Sequence, residues 1–371
     1  FLGSAKFNNQ QAYYFRKFAA FWGTNNIDHV ARIWHSATVA GVANTWGYGA
    51  MTNNFSDVAA NAKMMIIFGA NTAVANPIGF KHILQAKDRN GAKLIVVDPV
   101  YTKSAVHADE YVRIRPGTDI AFVYGMLHLI FKNGWEDKEL IDKRTYGVDK
   151  IREEAAKWTP EEVENVTGVP AEQLVRITQM YASVKPATLF WSLGITQHSV
   201  GSSNTRILAI LQLVLGNMGK KGGGTNIIRG HDNVQGATDM GCLADTLPAY
   251  YGLDDGAWNH FTQFWGVDRE YMNSRFFEKK WMHEKGFSLA KWWQGVLQEE
   301  KTHSNAPVRV VWVQGTGITS MAHTTKIQEA LKKLDMIVIA EPFVNEIAVL
   351  ADRPDGIYIL PATTQYETEG Y

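Results

Sequence analysis

A chain of 371 residues, 46% hydrophobic and 20% charged, is long enough to bury a large core and to form two domains. Lysine plus arginine and aspartate plus glutamate each number 37, so the balance gives no reason to expect nucleic acid or an anionic membrane surface as a partner. Cys242 is the single cysteine, which excludes a disulfide framework and any cysteine cluster for zinc or iron–sulfur ligation within these residues. It reads as a buried small hydrophobe.

No signal peptide is visible, nor any run of about 18 apolar residues. The chain opens at Phe1, and Thr368-Glu369-Gly370-Tyr371 follows a strand-like Ile357-Tyr358-Ile359-Leu360-Pro361 without a closing element. The expectation is an internal piece of a longer protein, with any targeting signal, further cofactor ligands or membrane-partner site in the rest.

In chain order, Lys63–Gly69 is a short apolar run stopped by Gly, predicting a buried strand, and Pro77–Arg89 has helical spacing. Ala92–Val97 is a second apolar strand ending at Asp98-Pro99, and strand–helix–strand at this spacing is a βαβ unit on a parallel sheet. A helix is predicted over Asp119–Asn133. Thr159-Pro160-Glu161-Glu162 starts another, with a cap, a Pro and early acids. Ala187–Ser192 returns as a strand, followed by a helix over Ser203–Gly216 and a turn-rich loop over Asn217–Gly224. Tyr250–Lys301 is rich in Trp and Phe, lacks a clean period, and reads as an irregular helical insertion. Val308–Val313, a helix over Thr324–Lys333, and Met336–Ala340 then repeat the strand–helix–strand pattern. Two α/β regions result, 60–200 and 305–360, with no internal repeat.

Open parallel sheets bind ligands at the carboxyl ends of their strands. Four such ends here are polar or carry Gly: Gly69-Ala70-Asn71-Thr72, Asp98-Pro99, Gly194-Ile195-Thr196-Gln197 and Gln314-Gly315-Thr316-Gly317. None forms GxGxxG and no P-loop occurs, which argues against an ordinary nicotinamide-binding domain. Gly at a strand end permits close approach to a phosphate, or simply makes a turn. Asp98 has the chemistry to accept hydrogen bonds from a ribose or a guanine edge. Ile228-Arg229-Gly230-His231-Asp232-Asn233-Val234-Gln235-Gly236 packs a cation, an imidazole and acid or amide groups between glycines. Arg suits planar recognition of a carboxylate, and His35 and His231 have the chemistry to move protons near neutral pH. The alternative is a surface loop with an N-cap Asp.

Three motifs go further: Arg32-Ile33-Trp34-His35-Ser36, Gly47-Tyr48-Gly49-Ala50-Met51-Thr52-Asn53, and Arg229-Gly230-His231-Asp232-Asn233-Val234-Gln235-Gly236-Ala237-Thr238-Asp239-Met240-Gly241. With them the chain resembles the catalytic subunit of molybdenum- or tungsten-dependent formate dehydrogenases, within the molybdopterin-guanine-dinucleotide oxidoreductases. Similarity runs over nearly the whole chain and is weakest in the Tyr250–Lys301 insertion. The resemblance implies two Rossmann-like open-sheet α/β domains: residues 30–231, and residues 1–29 with 232–371 as a discontinuous second. It implies a molybdenum or tungsten atom held by two molybdopterin guanine dinucleotides and by the residue at position 34. His35 would handle protons beside the metal, and Arg229 would anchor the formate carboxylate. Gly69, Asn71, Asp98, Gly117, Asp119, Gly194 and Gln197 would line one dinucleotide. Gly315, Thr316 and Glu341 would line the other, with Gly230 and His231 beside the cofactor.

The chain departs from that pattern in three places. Trp34 stands where the family carries selenocysteine or cysteine, and an indole has an N–H donor and no ligating lone pair. Asp98-Pro99-Val100 lacks the Arg that often follows Asp-Pro, weakening one phosphate contact. The segment for a 4Fe–4S cluster and a domain capping the cofactor lie outside these residues. The resemblance further implies an iron–sulfur electron-transfer subunit and a membrane cytochrome b subunit in anaerobic respiration. It places the protein on the periplasmic side of the cytoplasmic membrane, with the cytoplasm as the alternative. The competing functions are another oxidoreductase of the superfamily, such as a nitrate reductase, and a non-catalytic paralogue in which Trp34 is genuine.

Selenocysteine is specified by UGA, which a translation reading UGA as Trp renders as Trp. Codon 34 of the gene is therefore expected to be TGA, followed by a selenocysteine-insertion stem-loop. Sequencing the locus checks this, and TGG there leaves the non-catalytic paralogue as the surviving explanation of Trp34.

Overall fold

The computed structural model describes residues 1–302, 306–319, 321–353 and 355–369. Asn305, the expected start of the second α/β region, and the terminal Gly370-Tyr371 lie outside them. Ten strands occur among the described residues: β1 (Leu2–Gly3), β2 (Asp28–His29), β3 (Met64–Phe68), β4 (Lys93–Val97), β5 (Glu110–Val112), β6 (Ala187–Trp191), β7 (Thr225–Ile227), β8 (Val310–Gln314), β9 (Met336–Glu341) and β10 (Tyr358–Pro361). They build two five-stranded sheets, all of whose neighbours run parallel. The chain divides into two compact units, Trp34–Gly230 and Phe1–Ile33 with His231–Tyr371.

The Trp34–Gly230 unit holds the sheet ordered β5-β4-β3-β6-β7. Every residue of β3 is buried, which is why Met-Met-Ile-Ile-Phe reads as an unbroken apolar run. The period of two sorts its side chains between two cores. Met64, Ile66 and Phe68 pack with Phe122, Met126, Leu174, Ile177 and Leu208 from the helices Asp119–Asn133, Ala171–Ser183 and Gly201–Val214. Met65 and Ile67 pack on the other face with Val58, Phe80 and Ile83 from the helices Phe55–Asn61 and Pro77–Asn90. Helices thus cover both faces, a doubly wound α/β arrangement. Asp119–Asn133 matches the expectation, whereas the helix predicted over Ser203–Gly216 starts at Gly201 and ends at Val214.

The other unit holds the sheet ordered β10-β9-β8-β1-β2. Two strands from the start of the chain therefore complete a sheet begun near its end, with Leu2 beside Val313 and Asp28 beside Leu2. The sequence pattern predicts none of β1, β2, β5 and β7, because two or three residues carry no measurable period. Within this unit the buried carboxylate of Asp28 takes a hydrogen bond from the Leu289 N–H (2.7 Å) and an ion pair from Arg32 (2.9 Å), and Arg32 also reaches Asp245 at 3.1 Å. Burial still outweighs this pairing and pushes the Asp28 carboxyl up to about 6. The Trp- and Phe-rich stretch forms short helices, of which Asp255–Trp265 and Arg269–Arg275 pack around Trp258, which is fully buried, and Trp292–Leu297 packs on the helix Thr324–Lys333. Cys242 is buried, as expected, and its thiol donates to the Ala12 carbonyl. No helix among the described residues is long and apolar enough to cross a membrane.

Ile66 lies at the centre of the middle strand with no exposure. Ile66→Ala should lower the unfolding free energy by about 2–5 kcal/mol. Tyr146→Ala, at a side chain 99% exposed, should change it by less than about 0.5 kcal/mol. Urea unfolding followed by tryptophan fluorescence measures both.

Candidate functional site

In the Trp34–Gly230 unit the register sets Phe68 beside both Val97 and Trp191, Val97 beside Val112, and Trp191 beside Ile227. Gly69, Asp98, Ser192 and Ile228 therefore leave the sheet from one edge. The chain winds from β3 through β4 to β5 on one side, and from β6 to β7 on the other. The edge between β3 and β6 is thus a topological switch point, where open sheets of this kind bind ligands. Gly194 donates its N–H to the Gly69 carbonyl at 3.1 Å. A Cβ on Gly69 would lie 2.8 Å from the Gly194 carbonyl carbon, and one on Gly194 2.7 Å from the Gly69 Cα. Gly69 also has φ +53°, so both glycines answer first to the packing of the two turns on each other.

Around this edge Asn71 accepts a hydrogen bond from the Ser104 hydroxyl, and Asp98 accepts one from the Val100 N–H at 2.9 Å. Burial raises the carboxyls of Asp98 and Asp119, with His198 partly opposing the shift at Asp119. Gly117 has φ +83°, and a Cβ there would meet nothing within 4 Å. Gln197 is exposed at the end of the Leu193–Thr196 turn. His198, which the sequence does not single out, and Thr72, named there only within its strand end, belong here by position. His198 bonds through Nε2 to the Gly194 carbonyl at 2.8 Å, and the Thr72 hydroxyl is buried with no protein partner.

His35 caps the helix Ser36–Trp46, which packs on Gly201–Val214 where a Cβ on Gly41 would strike Thr205. The His35 side chain is 4% exposed, with Nδ1 3.1 Å from the Thr38 hydroxyl and a buried Nε2 that has no protein partner. Burial lowers its pKa to about 4, the Arg229 charge adds to the shift, and the Ile228 main chain partly opposes it. Arg229 follows β7, with its carbonyl accepting from Asn76 Nδ2 at 3.0 Å. His35 and Arg229, 194 positions apart in sequence, are thus brought within electrostatic reach. Trp34 is half-buried, and the Thr196 hydroxyl donates to its carbonyl. Gly230, the last residue of this unit, is exposed.

His231, Gly315, Thr316 and Glu341 belong to the other unit. Gly315 (φ +68°) turns out of β8 against Ser4, Thr316 is buried beside it, and Glu341 ends β9. Burial raises the Glu341 carboxyl, opposed by Lys6 and by the Gly315 and Thr316 main chain. Burial also lowers the His231 pKa, with Lys6 adding to the shift. Lys6 is therefore the cation of this cluster, hidden in the sequence because a lone Lys near a chain start carries no pattern. Asp232 is exposed, and Asn233 occupies the N-cap position of the helix Val234–Asp239. The stretch before that helix is thus a loop, as the alternative had it, with Asn233 rather than Asp232 at the N-cap.

A nucleotide-bearing cofactor fits the switch-point edge. The unpartnered Thr72 hydroxyl and His35 Nε2, the open space at Gly117 and the half-buried Asp98 carboxyl supply donors, room and an acceptor. A protein ligand to a metal does not fit, because the indole at Trp34 offers no lone pair. Among the described residues no three His, Cys, Asp or Glu side chains gather as a metal-binding set.

The chain matches the molybdopterin oxidoreductase family over residues 1–371 and belongs to it. It is 35% identical over 372 aligned positions to the F420-dependent formate dehydrogenase subunit alpha of Methanocaldococcus jannaschii, covering 100% of this chain and 51% of that protein. It is 34% identical to formate dehydrogenase H of Escherichia coli, covering 98% of this chain and 48% of that protein. The chain thus spans about half the length of the curated relatives it matches. The acetylene hydratase of Pelobacter acetylenicus shares the fold, with a TM-score of 0.71 at 21% identity over 97% of this chain and 49% of that one.

His35 gives the unit a defined acid sensitivity. The unfolded side chain binds a proton near its ordinary 6.5 and the folded one near 4, so the stability held above 6.5 is lost as pH falls through that window. In His35→Gln the loss of unfolding free energy should be shallower by about 1.4 kcal/mol per pH unit in that window. Denaturant unfolding across the window checks this, and parallel curves for the two forms would contradict it.

Proposed function

We propose that the chain is part of the catalytic subunit of a formate dehydrogenase that oxidises formate to carbon dioxide, releasing two electrons and a proton. The observation that carries this reading is the pairing of Arg229 with a buried, neutral His35 at the carboxyl edge of a molybdopterin-family sheet. The relatives named formate dehydrogenases support it. Fold alone does not, since an acetylene hydratase shares it.

Formate is a small planar anion, and a guanidinium matches its two oxygens with parallel hydrogen bonds while offsetting its charge. Arg229 would bind and orient the carboxylate, and His35 would face it from the helix cap. Gly69, Asn71, Asp98, Gly117, Asp119, Gly194 and Gln197 would hold one guanine dinucleotide. Gly315, Thr316 and Glu341 would hold the second, with Gly230 and His231 alongside. When bound, a molybdenum or tungsten bis-pterin group supplies the two-electron chemistry that no side chain here can perform. The electrons would pass to a 4Fe–4S cluster and an iron–sulfur partner subunit, on the periplasmic side of the membrane.

Trp34 favours a second reading, a non-catalytic paralogue, unless position 34 is selenocysteine in the cell. Both are tested in the full-length enzyme with an artificial electron acceptor. Trp34→Cys should bring formate oxidation to a form that otherwise lacks it, since a thiolate supplies the missing donor. In that background Arg229→Lys should lower kcat/KM for formate on the order of 100-fold, because Lys keeps the charge but loses the planar fork. The melting temperature should stay within about 2 °C. Near-normal kcat/KM, or a large fall in melting temperature, would make Arg229 a structural residue.

A further inference from the structure

Two side chains behind His35 have no part in the chemistry described so far. Trp191, at the end of β6 and fully buried, donates its indole N–H to the Thr38 hydroxyl oxygen at 3.1 Å. Thr38, 1% exposed, stands 3.1 Å from His35 Nδ1 on its other side. An indole nitrogen only donates, so the Thr38 oxygen is the acceptor in the first of these bonds. The direction of the second then decides which ring nitrogen of His35 carries the proton.

With the proton on Nδ1, the Thr38 oxygen would accept twice. Its own hydrogen would be buried without an acceptor, and His35 Nε2 would be a second unsatisfied atom. With the proton on Nε2, Thr38 donates to Nδ1, and the one group left without a full hydrogen bond is the Nε2–H, with the Ile228 main chain near the ring. A buried unsatisfied polar group costs about 1–3 kcal/mol, so the two arrangements are not equivalent.

We propose that Thr38, held by Trp191, fixes His35 in the Nε2–H tautomer, so that His35 presents a hydrogen-bond donor to a small anion at the site rather than a lone pair to a proton. Thr38 and Trp191 are then positioning residues, acting through His35. The identity of the anion as a carboxylate rests on the formate reading above, but the tautomer does not. Arg229 and His35 together offer that anion donors and no acceptor, and any proton released in the reaction has to leave through another group.

Nitrogen-15 NMR of the chain labelled at histidine, near neutral pH, reads the two ring nitrogens directly, with His35→Gln assigning the His35 signals. The expected result is a protonated Nε2 and an unprotonated Nδ1, with this tautomer at least about tenfold in excess, the ratio equivalent to 1.4 kcal/mol. Thr38→Val should abolish the excess and Thr38→Ser should restore it, whereas a residue that merely fills space would be rescued equally by Val. Should Thr38→Val not fold, Trp191→Phe releases the hydroxyl from its fixed donor and should reduce the excess instead. A wild-type His35 protonated at Nδ1, or a tautomer unchanged in these variants, overturns the proposal. No turnover enters the measurement, so failure of the formate assay leaves this result standing, and the reverse is equally true.

Discussion

The hydrogen bond from Gly194 to Gly69 is the constraint on which the rest of the switch-point edge depends. It closes the two turns leaving β3 and β6 onto each other, at a separation that no side chain at either position would allow. From the β6 side, the Trp191 carbonyl accepts from the Ile228 N–H at 2.9 Å, and the Ser192 hydroxyl donates to the Ile228 carbonyl at 2.7 Å. Those bonds fix where the chain turns toward Arg229. The same turn ends at Thr196, whose hydroxyl holds the Trp34 carbonyl. One backbone contact therefore sets the frame for Arg229 and for the helix that follows His35.

The long apolar strands and the helices with clear caps were legible, because burial on both faces of a parallel sheet leaves an unbroken hydrophobic run. Met64–Phe68, Lys93–Val97 and Ala187–Trp191 are of this kind. The short strands were not, since two or three residues carry no local period, and β1 in addition pairs with Val313, 311 positions away. Of the candidate residues, Arg229, His35 and the strand-end glycines stood out as polar or small groups beside apolar runs. Thr38 and Lys6 did not. A threonine inside a helix and a lysine in a polar stretch acquire meaning only from what the fold sets next to them.

Burial dominates the electrostatics of both units. It lowers His35, His29 and His231 and raises Asp28, Asp98, Asp119 and Glu341, even where an opposite charge is close. At each of these side chains burial thus favours the neutral form over the ion. Trp34 fits this landscape without fitting the chemistry. The Thr196 bond reaches it through the main chain, so that hold is indifferent to which side chain position 34 bears. The backbone can place a Trp, a Cys or a selenocysteine there alike.

The order of strands in the second sheet has a consequence for synthesis on the ribosome. β1 lies between β8 and β2, yet Leu2 is made 311 positions before its partner Val313. At roughly 5–20 residues per second, β1 waits on the order of 15–60 s for the strand that completes its hydrogen bonding. The Trp34–Gly230 unit is finished well within that interval. During the wait, the aromatic helix Asn9–Trp22 and the edge of β1 that β8 later covers are exposed, a load that falls on chaperones rather than on the native state.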